Sequence, residues 1–296
     1  MLGTAAGGGL PQWNCRCRYC EATRRGLLAP RLQASLAFSP GGEDWYLVNA
    51  TPDVTTQMLH AASLYPQEGI RHTPLQGVLL TDAELDHTLG LLHLREGARW
   101  SLHATRGMLD CMARGFDVVP SLRRYADIDV QEVPLDAPRT FREGDEAIRV
   151  RWLETDRDPP LYTGANDEVG GAGCALVLED EGDGGKLVYA PGVAFVSDAL
   201  RAACEDADAV LFDGTFWTGD EMQHVTGGTR DARAMGHLAI DGPDGSAAFL
   251  AELPAATKRY VHINNTNPVL DASSWQRARL RQQGLDVAED GEELIL

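Results

Sequence analysis

The chain has 296 residues, and 44% of them are hydrophobic, which is enough apolar material for a large globular core. It carries 26 Lys and Arg against 44 Asp and Glu, and the net charge of −18 argues against a broad surface for nucleic acid or an anionic membrane. No apolar run approaches the roughly 18 residues of a membrane-spanning helix, and the first residues lack the basic and apolar segments of a secretory signal. We therefore expect a cytoplasmic protein whose partners are small molecules or peptides.

Short apolar and β-branched runs, separated by Gly, Pro or Asp, predict strands along the whole chain. They cover 45–48, 77–80, 148–153, 174–178, 186–189, 209–212, 247–250 and 259–263. Helical patterns lie between some of them, at 54–64, 89–94, 106–114, 197–204 and 274–283. Strands resume directly after the Pro-, Gly- and Asp-rich segments 156–173 and 179–185, so these are predicted to be loops and not domain linkers. The order indicates a layered α/β (α+β) protein with two sheets and a single domain over 1–296.

Four potential metal ligands lie within six residues directly after the predicted strand 77–80: Asp82, Glu84, Asp86 and His87. Three carboxylates beside one imidazole repel each other unless a cation binds among them, and oxygen-rich ligand sets suit iron or manganese. The alternative is a solvated acidic loop in which Asp82 begins the following helix. Taken alone, the segment leaves both interpretations open.

Three cysteines, Cys15, Cys17 and Cys20, have the spacing C-x-C-x-x-C near the start of the chain. A tight turn would bring the three thiolates onto one tetrahedral ion, which predicts a structural zinc site with a fourth ligand from elsewhere. We favour His237 for that position and hold His224 in reserve, although either is equally consistent with a surface histidine. Redox cycling between two of the cysteines is the alternative to metal binding. The other three cysteines are expected in the core: Cys111, Cys174 and Cys204.

Two further predicted strands end on polar side chains, which often collect at functional sites. Asp213 follows the strand 209–212, and His262 lies at the end of 259–263, just before Asn264, Asn265 and Asn267. Each of these groups is also consistent with a core residue that simply hydrogen-bonds a neighbour. Together with the acidic segment, they indicate one converging site.

Five segments resemble signatures of the coenzyme PQQ synthesis protein B family, and they occur in the same order. They are 3–17, 81–88, 212–215, 235–238 and 262–268. The resemblance implies a metallo-β-lactamase fold, a four-layer αβ/βα sandwich close to the ribonuclease Z branch. It also implies a departure at the start, because only Met1 and Leu2 precede the glycine-rich segment where the family has a full first strand. We expect either a misplaced start codon or the loss of that edge strand.

The metallo-β-lactamase superfamily binds two metals with a His-x-His-x-Asp-His loop, and here Asp82 and Glu84 stand at the two leading histidine positions. Asp86 and His87 match the pattern. Residues 190–192 read Ala-Pro-Gly where relatives have a metal-bridging aspartate. These departures argue against binuclear zinc hydrolysis and favour a hard or redox-active metal.

The resemblance implies a role in the biosynthesis of pyrroloquinoline quinone (PQQ), which is built from a Glu and a Tyr of a ribosomal peptide. We expect an iron- and O₂-dependent hydroxylase that acts on the tyrosine of the Glu-Tyr precursor. Fe²⁺ is the expected metal, with Zn²⁺ or Mn²⁺ as an alternative in purified protein. The expected ligands are Asp86, His87 and His262, with Asp82, Glu84 and Asp213 as further ligands or as groups that orient them.

Asn264, Asn265 and Asn267 are expected to bind the amino-acid portion of the substrate. Expected partners are the peptide- or amino-acid-derived PQQ precursor, other PQQ biosynthesis proteins and a second copy in a homodimer. The alternative function is a non-catalytic carrier involved in transport of PQQ or its precursor to the periplasm. A hydrolase of the ribonuclease Z type is disfavoured by the missing histidines and by the net charge of −18.

Overall fold

The computed structural model describes residues 1–97, 99–155, 157–164 and 169–295, and within them the chain forms two sheets. The first sheet has the order β1-β2-β3-β4-β5, in which β1 and β2 are antiparallel and the later neighbours are parallel. Its strands are β1 (Leu36–Phe38), β2 (Trp45–Val48), β3 (Leu75–Leu79), β4 (Arg99–Thr105) and β5 (Asp127–Val133).

The second sheet has seven strands in the order β12-β11-β10-β9-β8-β7-β6. Strands β9 to β12 are parallel, whereas β6 to β9 are joined antiparallel. Its strands are β6 (Arg139–Glu143), β7 (Glu146–Glu154), β8 (Cys174–Asp180), β9 (Lys186–Ala190), β10 (Ala209–Asp213), β11 (Thr257–Val261) and β12 (Asp286–Val287).

The helices are short, and none of those formed by the described residues is long and apolar enough to cross a membrane. They are α1 (Arg18–Arg24), α2 (Val54–His60), α3 (Leu85–Thr88), α4 (Arg106–Gly115), α5 (Val119–Leu122), α6 (Asp198–Glu205), α7 (Glu221–Thr226), α8 (Ser246–Glu252) and α9 (Trp275–Gln282). Segments of 3₁₀ helix occur at Ala62–Leu64, Leu89–Glu96, Leu161–Thr163, Arg233–Met235 and Pro268–Leu270.

Side chains of β10 point alternately into two apolar cores, as the two-residue period of a strand requires. Leu211 belongs to the core that also contains Leu79 of β3, so this core lies between the sheets. Val210 and Phe212 belong to the other core, which contains Leu250 of α8 on the outer face of the second sheet. Helix α4 contacts β4 and β5 of the first sheet. The layers therefore run helix, sheet, sheet, helix.

The predicted layered fold with two sheets is confirmed, and so is the burial of the three isolated cysteines. The strand predicted at 247–250 is wrong, because Ser246–Glu252 forms α8. Periodicity cannot distinguish a short apolar strand from a buried helix, and the alanine-rich sequence here favours the helix. The predicted helix at 89–94 is a 3₁₀ helix. Part of the loop predicted at 156–173, residues 156 and 165–168, lies outside the described residues.

Candidate metal centre

Three strands deliver polar side chains to one place between the two sheets. Strand β3 leads into the segment that carries Asp82 and His87, β10 ends at Asp213, and β11 is followed directly by His262. In the second sheet β10 and β11 are parallel neighbours, so their carboxyl ends lie side by side. The ring centroids of His87 and His262 are 5.4 Å apart. A histidine that follows a strand of the first sheet therefore lies next to one that follows a strand of the second sheet.

His87 is buried on α3, and its two ring nitrogens have different surroundings. Nδ1 lies 2.8 Å from Oδ1 of Asp82, which fixes the orientation of the ring. Nε2 is buried and has no hydrogen-bond partner among the described residues. Buried polar atoms are rarely left without a partner, so Nε2 is available for a ligand that the protein itself does not provide.

His262 lies directly after β11 with a φ of 57°, in the left-handed region that only a few per cent of residues with a Cβ atom adopt. Its Nδ1 is 2.8 Å from the hydroxyl of Thr215, and its Nε2 is 3.5 Å from Oδ2 of Asp86. A strained backbone persists only where the surroundings fix it, and such residues cluster at functional sites. Here the conformation turns the His262 ring toward the α3 side of the centre.

Asp86, His87 and His262 form a group whose ligand atoms all lie within 4.8 Å of one another. The residues fit a metal ion, because His87 has a buried Nε2 with no hydrogen-bond partner among the described residues and groups with a carboxylate and a second imidazole. In both histidines the opposite ring nitrogen is held by a protein oxygen, as is usual for metal-binding imidazoles. Two histidines and one carboxylate are the set typical of non-haem iron oxygenases.

Charges within the centre keep its aspartates ionised. Burial acts to raise the pKa of Asp86, but the charge of His87 and the hydrogen bond from His262 hold that pKa well below its usual range. At Asp82, burial is likewise outweighed by the charges of His87 and Arg157. Burial acts to lower the pKa of His87, yet Asp82 and Asp86 raise it to about 9, whereas burial dominates at His262 and lowers its pKa. A metal ion bound here would therefore have to replace a proton on His87.

Asp213 and Thr215 support His262 from the second sheet. The Thr215 hydroxyl lies 2.6 Å from Oδ1 of Asp213 and also contacts His262. Oδ2 of Asp213 accepts a hydrogen bond from the backbone N–H of Val193 and lies 2.7 Å from Nδ1 of His237. Asp213, His237 and His262 form a second group of close ligand atoms, with the two imidazole rings stacked 5.2 Å apart. Asp213 therefore orients two histidines.

The structure corrects the prediction that His237 lies beside the three clustered cysteines. His237 contacts Asp213 and stacks on His262 because it follows the 3₁₀ helix Arg233–Met235, which places it at the ends of the β9 and β10 strands. The reserve candidate, His224, is exposed on α7 and lies 3.4 Å from Asp220. Neither histidine belongs to the group of close ligand atoms formed by the cysteines.

Cys15, Cys17 and Cys20 do converge, with all three sulfur atoms within 4.8 Å of one another. They are free thiols at the start of α1, where Cys17 is the N-cap residue. Their nearest polar partner is Asn265: its carbonyl oxygen is 3.2 Å from Sγ of Cys17, and its side-chain amide is 3.2 Å from Sγ of Cys20. The cysteine group thus contacts the segment that begins with His262.

A family model of the beta-lactamase superfamily domain matches residues 44–263. The coenzyme PQQ synthesis protein B of Methylobacterium sp. (strain 4-46) is 41% identical over 303 residues, covering 100% of this chain and 99% of the relative. This chain belongs to the coenzyme PQQ synthesis protein B family. The family protein of Pseudomonas aeruginosa (strain UCBPP-PA14) is also 41% identical, over 98% of this chain and 97% of its own length.

Solved structures agree with this assignment. The structure of Zn²⁺-bound PqqB from Methylobacterium extorquens superposes with a TM-score of 0.90 at 39% identity and covers 100% of this chain and 98% of its own. Human tRNase Z, short form, superposes with a TM-score of 0.58 at 14% identity over 98% of this chain and 95% of its own, which shows the fold alone. The metallo-β-lactamase fold predicted for the chain is confirmed.

Three side chains predicted for this PqqB family site have other surroundings. Glu84 is not in the group of close ligand atoms, and its carboxylate lies 3.9 Å from Arg157. Asn267 is fully buried and donates to the carbonyl oxygens of Gly214 and Thr215, so it stabilises the loop after β10. Asn264 donates to the hydroxyl of Thr266. With Asn265 on the cysteine group, the substrate role of the three asparagines stays a prediction.

Arg157 is a residue of the centre that the sequence did not reveal. Its Nη1 donates to Oδ2 of Asp82 at 2.9 Å, and only 8% of its side chain is exposed. It lies in a Pro-, Gly- and Asp-rich segment, where an arginine next to aspartates reads as a solvated surface residue. Thr215 was missed in the same way, because a threonine after a strand carries no distinctive pattern.

Proposed function

We propose that this PqqB family protein acts in PQQ biosynthesis as an iron- and O₂-dependent hydroxylase of the tyrosine in the Glu-Tyr precursor. The observation that carries the proposal is the group of Asp86, His87 and His262, with the buried Nε2 of His87 left without a protein partner among the described residues. The names of the relatives support the pathway, since they are coenzyme PQQ synthesis proteins.

The ligand atoms of this centre favour iron, because none of them is a thiolate of the kind that suits zinc. A carboxylate oxygen and two imidazole nitrogens suit Fe²⁺, and sets of this kind keep coordination positions open for O₂ and substrate. Bound iron would supply the one-electron chemistry that activates O₂, which protein side chains alone do not provide. Each hydroxylation places one oxygen atom on the ring and, with two electrons from an added reductant and two protons, releases the other as water.

The protein's own contribution is to fix the ligands and their protonation. Asp82 holds the His87 ring through Nδ1, and Thr215 holds His262 in the same way. Both rings would therefore present Nε2 to a bound ion in a fixed orientation, and such support raises metal affinity. Asp213 supports this arrangement through its hydrogen bond with Thr215.

We also propose that Cys15, Cys17 and Cys20 bind a structural Zn²⁺ ion, with Asn265 as the adjacent polar group. Thiolate ligands at tetrahedral spacing suit zinc and are separate in chemistry from the oxygen- and nitrogen-based centre. The expected partners are the Glu-Tyr precursor and other PQQ biosynthesis proteins. The cytoplasmic location, the homodimer and the single-domain organisation stay predictions.

Anaerobic reconstitution with Fe²⁺ tests the hydroxylase. With the Glu-Tyr dipeptide, O₂ and ascorbate as the reductant, we expect product masses that increase by one or two oxygen atoms. His262→Ala should lose both iron uptake and hydroxylation, because it removes one of three ligands. His224→Ala is the matched control, since His224 is exposed on α7.

A carrier protein would give a different result in the same assay. Unaltered dipeptide after O₂ exposure of the iron-loaded protein, together with one bound zinc per chain and tight binding of PQQ, would support a carrier instead. Hydroxylation that survives in His262→Ala would remove this histidine from the site.

A further inference from the structure

Arg157 lies between two carboxylates of the centre and is almost fully enclosed. Its Nη1 donates to Oδ2 of Asp82 at 2.9 Å, and its Nη2 lies 3.9 Å from Oε1 of Glu84. Only 8% of the Arg157 side chain and 5% of the Asp82 side chain are exposed. A guanidinium is not deprotonated in proteins, so it places a permanent positive charge inside the centre.

Three glycines from separate segments make room for this side chain. A Cβ atom on Gly192, just after β9, would clash with Nη1 of Arg157. A Cβ atom on Gly236 would lie 2.9 Å from its Nε, and one on Gly173 would lie 2.9 Å from its Cβ. Real Cβ atoms do not approach so closely, so the absence of side chains at these three positions leaves room for Arg157.

The charge of Arg157 also decides what Asp82 can bind. Oδ1 of Asp82 is engaged by Nδ1 of His87 and by the backbone N–H of Glu84. Oδ2 is engaged by Arg157. Both oxygens of Asp82 are therefore committed, and the carboxylate of Glu84 lies 3.9 Å from the same guanidinium. Without Arg157, Oδ2 of Asp82 and the carboxylate of Glu84 would lose the cation that they share, and carboxylate oxygens of this kind suit a hard divalent cation.

We propose that the Arg157 guanidinium is a built-in cation that takes the charge role of a second metal ion and limits this centre to one ion at Asp86, His87 and His262. The inference rests on the proposed metal site and goes beyond it by assigning the number of ions that the site accepts. Arg157 is a positioning residue here, since it acts through Asp82, which in turn holds the ring of His87.

Titration with Mn²⁺, while the cysteine group is kept loaded with zinc, tests the inference without relying on activity. We expect one Mn²⁺ per chain for the wild type. Arg157→Met removes the charge at similar side-chain length and should bind a second Mn²⁺ at least about tenfold more tightly than any second ion on the wild type. Arg157→Lys keeps the charge and should bind one.

One Mn²⁺ or none in Arg157→Met, or two in Arg157→Lys, would overturn the inference. Two ions on the wild-type protein would overturn it as well, and that measurement does not depend on whether Arg157→Met folds. Failure of the hydroxylase proposal would look different, because the wild type would bind one ion yet leave the Glu-Tyr dipeptide unaltered.

Discussion

His262 combines a strained backbone with a precise hydrogen bond, and both act on the same imidazole. Its φ of 57° is unusual for a residue with a Cβ atom, and the strand β11 ends directly before it. The hydroxyl of Thr215, 2.8 Å away, holds Nδ1 and leaves Nε2 facing Asp86. Metal affinity at this centre should therefore depend on Thr215 even though it is not a ligand.

Thr215→Val keeps the shape of the side chain and removes this hydrogen bond. We expect iron or Mn²⁺ affinity to fall by about 10- to 100-fold, the usual effect of losing a group that orients a metal ligand. Thr55→Val, on the exposed side of α2, is the matched control. Metal titration of both variants measures the effect, and equal affinity in Thr215→Val and wild type would show that Thr215 does not position His262.

The sequence predicted the residues whose type and spacing carry chemistry. Asp86 and His87 follow a strand in a recognisable pattern, and His262 and Asp213 end two others, so their convergence was expected and the structure brings them together. His237 was assigned to the wrong neighbours, because a histidine after a glycine turn gives no information on which distant group it contacts. Such pairings depend on tertiary packing alone.

At the scale of elements, residues 262–268 connect the cysteine group to the metal centre. His262 opens this segment in the centre, and Asn265, three residues later, contacts the sulfur atoms of Cys17 and Cys20. Asn267 anchors the same segment to the carbonyl oxygens after β10. A metal ion bound by the cysteines would therefore hold the segment that carries His262.

Cys17→Ser should lower metal affinity at Asp86, His87 and His262, because it weakens zinc binding and loosens the segment that carries His262. We expect a several-fold to about 100-fold loss, comparable with other supporting groups of a metal site. Cys111→Ser, a buried cysteine on α4, is the control. Mn²⁺ titration before and after zinc removal by a chelator measures the coupling, and unchanged affinity in both cases would show that the two sites are independent.

Predictions of elements succeeded for most of the continuous apolar runs and failed for several strands, long as well as short. Strands such as β8 and β10 are continuous apolar runs and were found, whereas Ser246–Glu252 was taken for a strand and is a helix. Five strands were missed, two of them seven residues long: β1, β4, β5, β6 and the two-residue β12. These strands are stabilised by pairing with neighbouring strands, and the local sequence does not show which strands will pair.

At the scale of the whole molecule, the two sheets enclose a buried histidine outside the metal centre. His103 of β4 is 3% exposed, and its Nε2 lies 2.8 Å from the hydroxyl of Ser101. Burial, together with the charge of Arg139, lowers the pKa of His103 to about 3. The folded protein therefore keeps His103 neutral at a pH where the unfolded chain already binds a proton.

This difference predicts acid sensitivity with a defined sign. As pH falls from about 6.5 toward 3, the unfolded state gains a proton that the folded state does not, and His103 lowers the free energy of unfolding by up to about 1.4 kcal/mol per pH unit. His103→Leu should remove this slope, and His93→Leu, at an exposed position, is the control. Urea unfolding between pH 4 and 7 measures it, and parallel curves for wild type and His103→Leu would contradict the account.

The overall fold was easier to predict from the sequence than the details of the site, because the apolar runs and their order indicate two sheets with helices outside them. The family signatures added the metallo-β-lactamase architecture, which the structure and its relatives share. The buried position of Arg157 was the least predictable feature, since it depends on three glycines that are distant in sequence and adjacent only after folding.

Diffraction at the iron absorption edge, from crystals of Fe²⁺-reconstituted protein with zinc at the cysteine group, tests the central claim most directly. The account predicts one iron peak per chain within bonding distance of Nε2 of His87, Nε2 of His262 and the carboxylate of Asp86. An iron peak elsewhere, or none at these residues when the cysteine group is filled with zinc, would contradict it.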